Sequence, residues 1–149
     1  MTISLSIDSI IYTALAQTAI RHCMDGNRPP VPNHDNRPAL SRLARGAFGH
    51  VCVALVPLIR RCDPPGADDC DNCGDLMQFD IDDSHSLSGI GLRYLAEHAI
   101  ESYLLSELYA GTDSETADRY NEQFTLALDK LRVTAACMEW SGAAITPYP

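Results

Sequence analysis

Cys62, Cys70 and Cys73 stand in one turn-forming segment, CDPPGADDCDNCGD, and His85 follows a few residues later. Thiolate and imidazole together suit a tetrahedral zinc site, so these four residues are the chain's candidate metal ligands, and a small zinc-binding or regulatory protein using the Cys62, Cys70 and Cys73 loop is one alternative for its function. Only one CxxC pair is present, however, with no second CxxC or HxxxH at finger or ribbon spacing. The plainer reading is a set of free loop thiols. Asp69 also opens a run, D-C-D-N-C-G, that puts Asp80 at the twelfth place of an EF-hand frame. Cys73 occupies an oxygen-ligand position there and Asp80 stands where glutamate is needed, so the run reads as an acidic, solvated flap. No metal and no cofactor are expected.

Nucleophilic chemistry finds as little support. There is no G-x-S-x-G elbow, no Cys/His signature, no GxxxxGK[ST] and no GxGxxG. His22 beside Cys23 is adjacency in sequence, and His50 and His98 fall on helical stretches as ordinary partly buried or surface residues. The chain is not expected to be an enzyme. Six cysteines without a leader read as reduced thiols, with Cys23, Cys52 and Cys137 as small buried groups in helical stretches.

A chain of 149 residues with 46% hydrophobic and 21% charged residues fits one domain with a sizeable core. The N-terminus lacks a basic, apolar leader and no window nears 18 apolar residues, so a soluble intracellular product without membrane association is expected. Eleven basic against twenty acidic side chains give a net charge of -9, which argues against general or sequence-specific nucleic-acid binding. The charge is segregated. Residues 36–61 hold five arginines and no acid, whereas residues 63–83 hold eight aspartates and no base. Either the two blocks neutralise each other within one molecule, or Arg42, Arg45, Arg60 and Arg61 meet Asp68, Asp69 and Asp71 of a neighbouring copy, head to tail.

The elements that position these residues are mostly helices. Ile3, Leu5 and Ile7 alternate with Thr2, Ser4 and Ser6 as an extended lead-in, and a helix runs from Asp8 to about Cys23, capped by Ser6 or Asp8. Four prolines make residues 25–38 a loop. A second helix is expected from Ala39 to about Arg61 on the stripe Leu40, Leu43, Ala47, Val51, Leu55 and Leu58, with Pro57 kinking it or ending it early. Residues 62–83 read as a flap projecting from the body, with LMQFDI as a short strand.

The third helix is expected to start after Asp82-Asp83-Ser84 and end at Ala110, with Gly111 in the left-handed C′ position. Its apolar residues, Leu87, Ile90, Leu92, Tyr94, Leu95, Ala99, Tyr103, Leu104 and Leu108, wrap most of its circumference and make it central. Ser114 or Thr112 caps the fourth helix, and the short connection forces an antiparallel hairpin. Tyr94, Leu95, Leu104 and Leu108 should then pack on Tyr120, Phe124, Leu128 and Leu131. Beyond Met138 two prolines should keep EWSGAAITPYP from staying helical. The fold class is thus mainly α: a bundle of about four helices over residues 1–138, a short β flap, and an extended tail over 139–149. Trp140, Ile145 and Tyr148 suit that tail to burial against a partner, with folding back on its own bundle as the alternative.

The helix carrying RLARGAFGHVCVALVPLI, the flap ending in GDLMQFDIDD, the hairpin LRYLAEHAIESYLLSELYAGTDSETADRYNEQFTLALDKLR and the tail follow in that order. Over roughly residues 1–140 this layout resembles the small helical head-to-tail connector (adaptor) proteins of tailed bacteriophages. The resemblance implies a structural virion protein of the neck, made in the host cytoplasm. It would form a ring, twelvefold in that family, beneath the portal. The implied partners are other copies of itself, the portal protein, reached by the C-terminal segment, and the next neck or tail protein. The proline loop and the acidic cysteine flap exceed a minimal connector and read as insertions for neighbour contacts.

Overall fold

Ile3 and Leu5 are buried while Thr2, Ser4 and Ser6 are more exposed, and Thr2–Ser6 forms strand β1. In this computed structural model the described residues are 1–26, 36–62, 76–81 and 89–142. Ser6 ends the strand and caps helix α1 (Ile7–Met24), its hydroxyl accepting from the Ser9 amide at 3.3 Å. Ile7, Ile10, Ile11, Ala14 and Thr18 form the buried stripe of α1, and Thr18 satisfies its hydroxyl on the Ala14 carbonyl at 3.0 Å.

Helix α2 (Arg37–Ala54) starts with Pro38 in its first turn, where a missing amide donor costs nothing. It buries Leu40, Ala44, Ala47, Phe48, Val51 and Ala54. The helix does not reach Arg61. Pro57 forces an early end: residues 55–58 turn, with the Leu58 amide on the Leu55 carbonyl at 2.8 Å, and Ile59–Cys62 becomes strand β2.

Strand β3 (Leu76–Ile81) corrects the projecting flap. It is the middle strand of a three-stranded antiparallel sheet ordered β1-β3-β2, paired from Thr2↔Asp80 to Ser6↔Leu76 on one side and with Ile59, Arg61 and Cys62 on the other. Met77, Phe79 and Ile81 turn to the face that Ile3 and Leu5 share, and all five belong to the core. Phe79 meets Phe48 of α2 with ring centroids 6.1 Å apart.

Helix α3 (Gly89–Tyr109) is the central element, touching α1, α2, α4 and β1, and it buries Leu92, Ala96, Ala99, Ile100, Leu104 and Leu105. Its apolar coat is broader than its burial: Ile90 is 81% exposed and Tyr94 67% exposed, so Tyr94 is not part of the hairpin core. Gly111 is not left-handed; among the described residues only Gly26, after α1, has positive φ, at 70°. Helix α4 (Ser114–Gly142) is capped by Asp113, whose carboxylate accepts from the Thr116 amide at 3.1 Å, and not by Ser114 or Thr112. On α4 the three-and-four spacing of Ala117, Tyr120, Phe124, Ala127 or Leu128, Leu131 and Ala135 marks the covered face: Tyr120 is half-buried and the others, Ala127 and Leu128 both, are buried. The helix continues four residues past Met138, because the first tail proline, Pro147, lies beyond its end. Among the described residues the molecule is mainly α, with four helices and a small three-stranded antiparallel sheet.

Candidate functional site

The charged and apolar groups of this fold are sorted by helix face. Helix α2 carries Arg37, Arg42 and Arg45 and no acid. Arg37 is committed to Asp8 of α1 as an ion pair and hydrogen bond. Arg42 is exposed, its Nε directed to the Pro38 carbonyl at 3.4 Å, and Arg45 is half-buried. Arg60 and Arg61 are exposed on β2. Arg61 lines an open polar hollow with Thr2, Gln78, Phe79 and Asp80, where the Thr2 hydroxyl donates to the Asp80 carboxylate at 2.6 Å. The arginine block is therefore split: one member holds α1 to α2, one lies beside the sheet's own aspartate, and Arg42 faces outward.

The outward faces of α3 and α4 combine acids with exposed apolar side chains. Glu115, Asp118, Glu122, Leu126, Asp129 and Val133 are all exposed on α4. Arg119 pairs with Glu115, and Arg132 pairs with Asp129 at 2.8 Å. Asp118 and Glu122 join no ion pair among the described residues. Leu126 is 59% exposed and Val133 62% exposed. With Leu95, Asp129, Lys130 and Thr134 they line an open depression between α3 and α4. Among the described residues nothing covers the exposed side chains of Leu126 and Val133.

A third cluster, unforeseen in the sequence, lies where α1 ends against the α3–α4 turn. The Arg21 guanidinium sits 5.6 Å from the centre of the Tyr109 ring and donates to the Thr116 hydroxyl at 2.7 Å. His22 and Tyr120 stack on Tyr109 at 6.1 and 5.9 Å. The Tyr109 hydroxyl is buried without a hydrogen-bond partner of good geometry. Burial pushes its pKa up; the neighbouring Thr18 hydroxyl works against that shift. Asp113 is held below the usual carboxylate range, first by the Thr116 hydroxyl and then by the Thr116 amide. The cluster clamps three helices with a cation on an aromatic face. Its residues come from three distant stretches, so no local pattern marks it.

Half-burial raises the pKa of Glu101 on α3; a hydrogen bond from Gln17 of α1 opposes the shift and the charge of Glu97 adds to it.

Of the candidate zinc ligands, Cys62 ends β2, while Cys70, Cys73 and His85 lie outside the described residues. Among the described residues no three His, Cys, Asp or Glu side chains are grouped to hold a metal ion. Cys23 and Cys137 are exposed, which corrects their reading as buried thiols, and Cys52 is half-buried. Asp68, Asp69 and Asp71 also lie outside the described residues, as do Ile145 and Tyr148. Trp140, placed in the extended tail by its sequence, falls within α4. No helix formed by described residues is long and apolar enough to cross a membrane. The chain matches no protein-family model, no curated protein and no solved structure.

Proposed function

We propose that this chain is a structural protein of a tailed-phage neck, a head-to-tail connector that acts by shape and contact as a ring beneath the portal. The observation that carries this reading is the opposition of two outward helix faces on one small body. The face on α2 carries exposed Arg42 with small and apolar residues, and that on α4 carries Asp118 and Glu122 with Leu126 and Val133. A ring subunit needs two different faces, each completed by a neighbour. The order of elements supports the same reading through the resemblance described above. The portal is the partner proposed for the segment at the end of α4, with Trp140 at its root and Ile145 and Tyr148 beyond, because such side chains gain most when buried in another protein.

Co-expression with the portal protein of the same virion tests the proposal. The expected result is a ring bound to the portal, seen by electron microscopy, with a copy number near twelve. Deleting residues 143–149 should leave the helical fold, read by circular dichroism, and abolish portal capture. Undiminished capture by the truncated chain would overturn the docking tail, and a full chain that ignores the portal would overturn the connector reading.

A further inference from the structure

Two exposed stripes on this molecule are complementary to each other. On α2, the side opposite the core presents exposed Arg42 and Gly46, half-buried Gly49 and exposed Val53 at intervals of four, three and four residues, and exposed Val56 follows just past the helix end. A side chain added at Gly46 would meet no atom of the described residues within 4 Å. That stripe runs from a base through a gap of small residues to an apolar end. On α4, the side opposite Phe124 presents Asp118, Glu122, Leu126, Asp129 and Val133. It runs from two carboxylates free of ion pairs among the described residues, past Leu126 and Asp129, the latter held by Arg132, to Val133.

Laid parallel, the stripes match in charge, shape and length. Arg42 falls against Asp118 and Glu122, Leu126 enters the space over Gly46 and Gly49, and Val53 and Val56 reach Val133. From Arg42 to Val53 and from Glu122 to Val133 the rise is the same, about 16 Å at 1.5 Å per residue. The antiparallel alternative sets Arg42 against Val133 and the valines against Glu122. One molecule cannot join its own stripes, because α2 already meets α4 through His50 and Phe124, 6.0 Å apart, on the opposite side of α4.

We propose that the α2 stripe of one copy docks along the α4 stripe of the next, so that the occupant of each face is a second copy of this chain. The inference rests on the ring reading and assigns its subunit contact. Since the two faces differ, the contact is heterologous and propagates from copy to copy until it closes. Arg42 and the two carboxylates supply steering and register, and the Gly46–Gly49 gap supplies close approach.

Native mass spectrometry and light scattering of the full chain test this. The wild type should form multimers at low salt that weaken as salt rises. Gly46→Leu, which fills the gap, and Leu126→Glu, which spoils the opposite face, should each give folded monomers. An equal mixture of the two should form a heterodimer and stop there, because only one intact face remains on each chain. Glu122→Arg should abolish assembly, and adding Arg42→Glu to the same chain should restore it. If Leu126→Glu fails to fold, exposed Val133→Asp takes its place. A Gly46→Leu chain that assembles like the wild type would overturn the proposal. So would a wild type that stays monomeric at low salt, and in that case capture by the portal would still decide the neck reading separately.

Discussion

Tyr103 of α3 and Phe124 of α4 meet across the hairpin with ring centroids 5.1 Å apart and planes inclined by 57°. This is the tilted geometry that aromatic pairs prefer. Phe124 is 8% exposed and His50 abuts its other edge. Phe124→Ala should therefore cost about 3–5 kcal/mol in urea unfolding, through lost burial and the cavity left behind. A loss below about 1 kcal/mol would show that the hairpin register is not the one described.

Phe79 should be as costly to truncate, although it lies in a segment whose sequence suggests a surface flap. It is 1% exposed, in the middle strand, against Phe48. Phe79→Ala is expected to destabilise the whole domain by about 3–5 kcal/mol in one cooperative transition. A separate, local transition confined to the sheet would contradict the shared core.

The Tyr109 hydroxyl, buried beside the Thr18 hydroxyl without good hydrogen-bond geometry, gives a prediction of opposite sign. Tyr109→Phe keeps the stacking on His22 and Tyr120 and removes a buried polar atom lacking a good partner, so stability should rise, by about 1 kcal/mol. Burial also raises the folded pKa of Tyr109, so as pH climbs past 10 the unfolded chain ionises first and wild-type stability falls. Tyr109→Phe should flatten that alkaline decline in thermal melts.

Glu101 provides the acid-side counterpart. Its pKa is raised in the folded state, chiefly by burial, so stability is highest while the carboxyl is protonated and falls as pH rises from the ordinary value of 4.5 through the folded one. Glu101→Gln keeps an acceptor for Gln17 and should remove this decline. Melting temperatures measured between pH 4 and 7 check it: the variant should gain on the wild type toward neutral pH.

Helix faces were legible in the sequence wherever periodicity and a local cap agreed, as in α1 after Ser6 and along Ala117, Phe124 and Leu131 of α4. Strand β2 was hidden because Leu58 extends the apolar stripe of α2, and only the missing amide of Pro57 breaks it. Three adjacent residues, Thr112, Asp113 and Ser114, are all good caps, so the choice of Asp113 depends on where α3 releases the chain. Tyr94 escapes the core because spacing reports which residues share a face, not whether that face is covered. The candidate contact was legible only as blocks of charge. Which arginine faces outward depends on Asp8 engaging Arg37, a pairing between separate helices that no local pattern reveals.

The central place of β3 also fixes the order in which this chain can fold during synthesis. Thr2 pairs with Asp80, 78 residues later, so β1 has no partner until the ribosome has delivered β3. At about 5–20 residues per second that wait lasts roughly 4–16 s. Through it Ile3 and Leu5 sit on an unpaired edge, open to chaperones or to other nascent chains, while the helix that follows them can already form. Among the described elements, the strand made first is thus among the last to be secured.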